Sequence, residues 1–120
     1  METNKGVATF YAKTRKQWRS WLEKHSAKET EIYLILHNKK STAKSVTYPE
    51  AVEEALCFGW IDSFKNKRDD ATAYQRFSPR KANSNWSPSN IERATRMTQE
   101  GLMTPAGQAA IDLAKERGRW

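Results

Sequence analysis

ALCFGWIDS, Ala55 to Ser63, decides the fold, because the hydrophobic period changes inside it. Upstream the spacing is helical, with Val52, Ala55, Leu56 and Gly59 on one face. Downstream it alternates, with Trp60, Asp62 and Phe64 on one side and Ile61 and Ser63 on the other. Gly59 stands at the change, where a helix end favours a residue free to adopt positive φ. The stretch reads as a helix stopped by glycine and followed directly by a strand.

Backward from this point, Thr47 and Glu50 form a Thr-x-x-Glu capping-box pattern, and Pro49 sits in the first turn, where its missing N–H does no harm. Glu50, Glu53 and Glu54 lie near the positive end of that helix's dipole. Asn38–Ser45 is a polar, basic loop. EIYLILH, Glu31–His37, has apolar groups on both faces and reads as a central strand covered on both sides. Before it, Thr14 and Gln17 make another capping-box pattern, and Trp18, Trp21, Leu22 and His25 share one helical face, with the tryptophans as core. Val7–Ala12 has strand propensity.

Forward, Trp60–Lys65, a charged turn at Asn66–Asp70 and a returning strand at Ala71–Ser78 form a hairpin ended by Pro79. Lys81–Trp86 is a loop. Ser87-Pro88 and Thr104-Pro105 each supply an N-cap and a proline at the first helical position, with Gly101 and Gly118 as the stops. The expectation is a single α+β domain over residues 1–120. It has a small, mainly antiparallel sheet of about four strands, about four helices packed on it, and a C-terminal helical hairpin.

Composition agrees with one folded core. The chain has 120 residues and is 38% hydrophobic, but five tryptophans, four tyrosines and four phenylalanines supply large apolar area. Lys and Arg number 21 against 14 Asp and Glu, a net charge of +7. That charge permits nucleic acid, acidic lipid or an acidic protein as partner, and its spread along the chain equally fits a lysine-rich solvated surface. Cys57 is the single cysteine, which excludes an intrachain disulfide and a cysteine-based metal cluster. The first residues lack a signal core of roughly 7–15 apolar residues, and no run approaches the roughly 18–20 of a membrane span, so the expected location is cytoplasmic.

The candidate ligand site is a surface of Trp60, Asp62, Arg76, Arg80, Trp86 and Asn90. Asp62 and Arg76 read as a cross-strand ion pair. One reading is a bridge that locks the hairpin, with Trp60 as a core anchor. The other is a pocket for a planar or anionic ligand, with Trp60 and Trp86 as walls, Arg76 and Arg80 as anion donors and Asp62 orienting an arginine. The helix start Asn85-Trp86-Ser87-Pro88, with Arg80 and Lys81 upstream, reads either as an anion position or as ordinary capping by Ser87. Lys65, Lys67, Arg68, Arg76, Arg80 and Lys81, interleaved with Phe64, Tyr74, Phe77 and Trp86, fit a single strand of nucleic acid or a solvated hairpin. Cys57 lies in an apolar stretch with only His25 and His37 available as bases, the pattern of an inert buried thiol. No His-x-x-x-His spacing and no Gly-rich phosphate loop occurs, so no metal or cofactor is expected. Asp62 is the remaining candidate acid or base.

YPEAVEEALCFGWID at Tyr48–Asp62, RFSPR at Arg76–Arg80, SNWS at Ser84–Ser87 with Asn90, GLMTPAG at Gly101–Gly107 and the terminal GRW at Gly118–Trp120 together form a pattern rich in rare residues. In these stretches the chain resembles the YdeI/OmpD-associated family, also called bacteriocin-protection proteins. The tryptophan-rich helix and the EIYLIL strand upstream are also similar to the family. The resemblance implies a role in bacterial resistance to bacteriocins and cationic antimicrobial peptides, an outer-membrane porin as partner and a periplasmic location. It implies no catalytic residue. The expected function is therefore a non-enzymatic binding protein for an anionic or aromatic ligand. The rivals are a small-molecule enzyme using Asp62 as acid or base, and a single-stranded nucleic-acid binder. Homo-oligomerisation stays open.

Overall fold

A computed structural model describes residues 2–38 and 41–120. Within the expected Asn38–Ser45 loop, Lys39 and Lys40 lie outside the described residues. The elements run β1 (Thr3–Asn4), β2 (Val7–Tyr11), α1 (Arg15–His25), β3 (Ile32–His37), α2 (Tyr48–Leu56), β4 (Trp60–Lys67), β5 (Thr72–Pro79), α3 (Pro88–Gln99) and α4 (Pro105–Glu116). The fold is α+β. The sheet has five strands in the order β1-β2-β3-β5-β4, antiparallel except for the parallel β2–β3 pair. The strand beyond the expected four is β1, joined to β2 through Lys5 and Gly6 at φ +53° and +79°.

Each helix starts where a cap is written in the chain. The side chains of Thr14, Thr47, Ser87 and Thr104 accept from the backbone N–H of Gln17, Glu50, Asn90 and Gly107. At α2 the box is reciprocal, since Glu50 accepts from the Thr47 N–H at 3.0 Å. At α1 it is displaced by one residue: Gln17 accepts from the Lys13 N–H at 2.7 Å. The helix-to-strand switch at Gly59 is as expected, with φ +77°.

Strand pairing sets which side chains share a face. Ile32 lies opposite Phe77, and Phe77 opposite Asp62, with Trp60 two residues along from Asp62 on the same side. This face carries the core together with Trp18 and Leu22 of α1, Val52 and Leu56 of α2, Met97 of α3 and Ile111 of α4. Trp18 joins the layers: its ring lies 5.1 Å from Phe77, and its indole N–H donates to the Ala51 carbonyl at 3.0 Å. A β-bulge between Asp62 and Lys65 then breaks the alternation. Phe64, expected beside Trp60 and Asp62, turns to the other face and meets Tyr33 at 6.2 Å.

β3 is central, as expected, but its second face is closed by the N-terminal hairpin. Asn4 bonds Asn66 at 3.0 Å, Lys5 stands 5.0 Å over Phe64, and Glu2 accepts from Arg68 and from the Tyr74 hydroxyl. Under this strap Tyr33 and Ile35 are buried.

The glutamates of α2 do more than meet the helix dipole. Glu53 and Glu54 are buried, and Arg15 reaches both, at 2.9 and 2.6 Å. Arg19 meets Glu54 at 2.8 Å and Arg96 meets Glu53 at 2.6 Å, so charges tie α1 and α3 to α2. Burial pushes the Glu53 carboxyl up, but bonds from Arg96 and Arg15 outweigh it and hold the group below its usual range. No helix among the described residues is long and apolar enough to cross a membrane.

Candidate functional site

The six residues selected from sequence divide between three places. Trp60 is core: it is 1% exposed, edge-on to Trp21 at 5.8 Å, and donates its indole N–H to the Ser26 carbonyl. It cannot be a ligand wall. Arg76 lies on the strap side of the sheet, because its neighbour Phe77 faces the helices and side chains alternate along a strand. The expected Asp62–Arg76 pair is therefore not formed. Arg76 forks onto Glu31 Oε2 at 2.7 and 2.9 Å and reaches Ser63 and Ser78.

Asp62, Arg80, Trp86 and Asn90 occupy the helix-covered side. Asp62 accepts a 2.5 Å bond from the hydroxyl of Tyr48, a residue the sequence offered only as the first of the Tyr48–Asp62 stretch that carries the family resemblance. Partial burial and then this bond push the Tyr48 phenol up to about 12, with the Arg93 charge opposing. Arg93 is itself held by Asn90, whose Oδ1 accepts from it at 3.0 Å. The Asn90 backbone N–H serves the Ser87 cap, so the start of α3 is ordinary capping.

Arg80 is the centre of this side. Its guanidinium stacks on Trp86 at 4.0 Å and donates to the Asn85 carbonyl at 3.1 Å. Burial lowers its pKa, with the Asp62 charge opposing, and a guanidinium stays protonated even so. No salt bridge closes it among the described residues. Arg80 and Trp86 line a groove of about 180 Å³ with Lys81, Ala109, Ala110 and Leu113, between the 81–86 loop and α4.

The C-terminal segment completes the surroundings and was not selected from sequence. The Trp86 N–H donates to the Arg119 carbonyl at 3.0 Å, and the Trp86 and Trp120 rings lie 5.1 Å apart. In the sequence, Gly118 marks the end of the last helix and GRW carries part of the family resemblance, and neither points to chemistry.

A larger cleft of about 860 Å³ opens between α2 and the tip of the β4–β5 hairpin. Lys65 and Lys67 line it, but so do Asp69 and Asp70, and Lys67 lies 3.3 Å from Asp70. The Thr47 and Glu50 N–H groups at its α2 end are already used by the capping box. Among the described residues that line it, the two lysines are matched by two aspartates.

The hairpin's arginines are paired: Arg68 meets Glu2 at 2.7 Å and Arg76 meets Glu31 at 2.7 Å. Asp62 lines neither cleft. Burial pushes the Cys57 thiol up to about 11, despite the Arg19 side chain, leaving it a poor nucleophile. Among the described residues no group of three or more His, Cys, Asp or Glu side chains is placed to hold a metal ion.

Residues 10–110 match the family described as a domain of unknown function, DUF8412. No curated protein and no solved structure matches the chain.

Proposed function

We propose that this chain, which belongs to the DUF8412 family, acts by binding without catalysis, and that an anionic ligand sits against Arg80 and Trp86 in the groove beside α4. The observation that carries the reading is the state of Arg80. A cation drawn partly out of water is normally paired. Arg15, Arg19 and Arg76 obey that rule, each meeting a glutamate. Arg80 is held in place by a ring and a carbonyl instead, and faces an open groove, feeling the Asp62 charge but meeting no carboxylate within salt-bridge distance among the described residues. Such an arrangement orients a fork of donors for a carboxylate or phosphate.

The resemblance to bacteriocin-protection proteins supports a protective rather than a metabolic role. At net charge +7 the protein repels cationic peptides, so protection of that kind would run through an anionic ligand or an acidic partner, not through capture of the peptide. The enzyme reading has less behind it, because Asp62 is committed to Tyr48 outside both clefts.

The test is a proton–nitrogen correlation NMR titration with inorganic phosphate and, separately, benzoate. Saturable shifts concentrated at the Arg80 Nε–H and the Trp86 indole N–H, absent in Arg80→Met, are expected. Shifts distributed evenly over the surface lysines, or none at Arg80, would overturn the reading.

A further inference from the structure

We infer that the basic end of the molecule, where Arg117 and Arg119 adjoin the Arg80 groove, is a docking track for the phosphodiester backbone of a nucleic acid. The inference rests on the anion-binding reading of that groove and names its ligand class. Gly118, at φ +69°, turns the chain after α4, and the Arg119 N–H returns to the Ala114 carbonyl at 2.8 Å. The arginines are thereby laid along the 83–86 loop. Arg117 donates to Asn83 Oδ1 at 2.8 Å and Arg119 to Asn85 Oδ1 at 3.3 Å. Arg80 donates to the Asn85 carbonyl at 3.1 Å.

These three guanidiniums are fixed by neutral acceptors, which set direction without cancelling charge. Lys115 adds a cation 5.0 Å over the Trp120 ring. Arg80, Lys115, Arg117 and Arg119 form no salt bridge with any described residue, and Glu116 is the one carboxylate in the 115–119 stretch.

The partner follows from what lies under the charges. The Trp86 ring is 7% exposed and supports Arg80, so it is not free to stack on a base. Contacts are left to phosphates, which position a strand without reading sequence. A lipid surface is disfavoured because the large exposed hydrophobics, Tyr11, Tyr48 and Phe64, lie elsewhere. An acidic protein surface would want a large apolar centre, and besides the Arg80-capped Trp86 the groove offers four alanines and Leu113. The track also differs from the cationic hairpin read from sequence, whose Arg68 and Arg76 are closed by Glu2 and Glu31.

The test is fluorescence anisotropy of a labelled oligothymidylate titrated with the full chain at several salt concentrations. Affinity should fall with salt at a log–log slope of about −0.7 per phosphate neutralised. Arg117→Gln with Arg119→Gln should weaken binding about fivefold or more and flatten the slope by about 1.4. Arg117→Lys with Arg119→Lys should restore most of the loss, because charge and not the asparagine contact is what the strand senses. No binding at low salt, glutamine variants that bind like wild type, or displacement of the oligonucleotide by polyglutamate or phosphatidylglycerol vesicles at equal charge would each overturn the inference. Oligonucleotide binding that depends on Arg117 and Arg119, without a phosphate response at Arg80, would sink the groove reading alone. A phosphate response without oligonucleotide binding would sink the track alone.

Discussion

Arg76 and Arg80 bracket RFSPR and finish in unlike surroundings. The expected hairpin offered Asp62 to Arg76 across its strands, and the hairpin itself was legible. What was not legible was which face each side chain takes, because the pairing that puts Phe77 opposite Asp62 also sends Arg76 to the far side, toward Glu31. The bulge before Lys65, which moves Phe64 across the sheet, leaves no mark in the hydrophobic pattern. Gly107 is a second residue whose constraint only the packing shows. A Cβ there would lie 2.3 Å from the Cys57 carbonyl oxygen and 2.5 Å from the Met103 sulfur. The start of α4 rests directly on the end of α2, with the Thr104 N–H on the same carbonyl at 3.1 Å. Gly107→Ala should cost about 1–3 kcal/mol by urea denaturation, with the fold retained. Unchanged stability would mean that α4 is not seated against Cys57.

At the scale of elements, the helices were readable because caps are local chemistry, and α2 with its glycine stop could be read almost residue by residue. The strap was not, since a two-residue strand has no period and its contacts run to partners more than sixty positions away, as in Asn4 to Asn66. The strap carries its own pH dependence. Hydrogen bonds from Arg68 and then Tyr74 lower the Glu2 carboxyl to about 2. A depressed folded-state pKa stabilises above the unfolded value of about 4.3 and loses that contribution as pH falls toward 2. The pair is solvent-accessible, so the effect is worth no more than about 1 kcal/mol. Amide exchange of the β1–β2 segment, corrected for intrinsic rate, should lose protection between pH 4.5 and 2.5 in wild type and show no such step in Glu2→Gln. Equal pH profiles would remove Glu2 as the clasp.

Over the whole molecule, the net charge of +7 is distributed by pairing and not by sequence position. Arg15, Arg19 and Arg96 are used to bury the α2 glutamates, and Arg68 and Arg76 close the strap side. At the Arg80, Arg117 and Arg119 end asparagines take the place of acids, and these arginines meet no carboxylate among the described residues. Composition could announce an excess of cations but not that these three arginines meet at one end, which depends on the chain turning back at Gly118. The direct test of anion binding at this end is thermal unfolding in rising pyrophosphate at constant ionic strength, for wild type and Arg80→Met. A ligand present at 100 times its Kd adds about 2.7 kcal/mol to the state that binds it. Wild-type Tm should climb with pyrophosphate while the Arg80→Met Tm stays level; a parallel rise in both proteins, or none in wild type, would contradict an anion site built on Arg80.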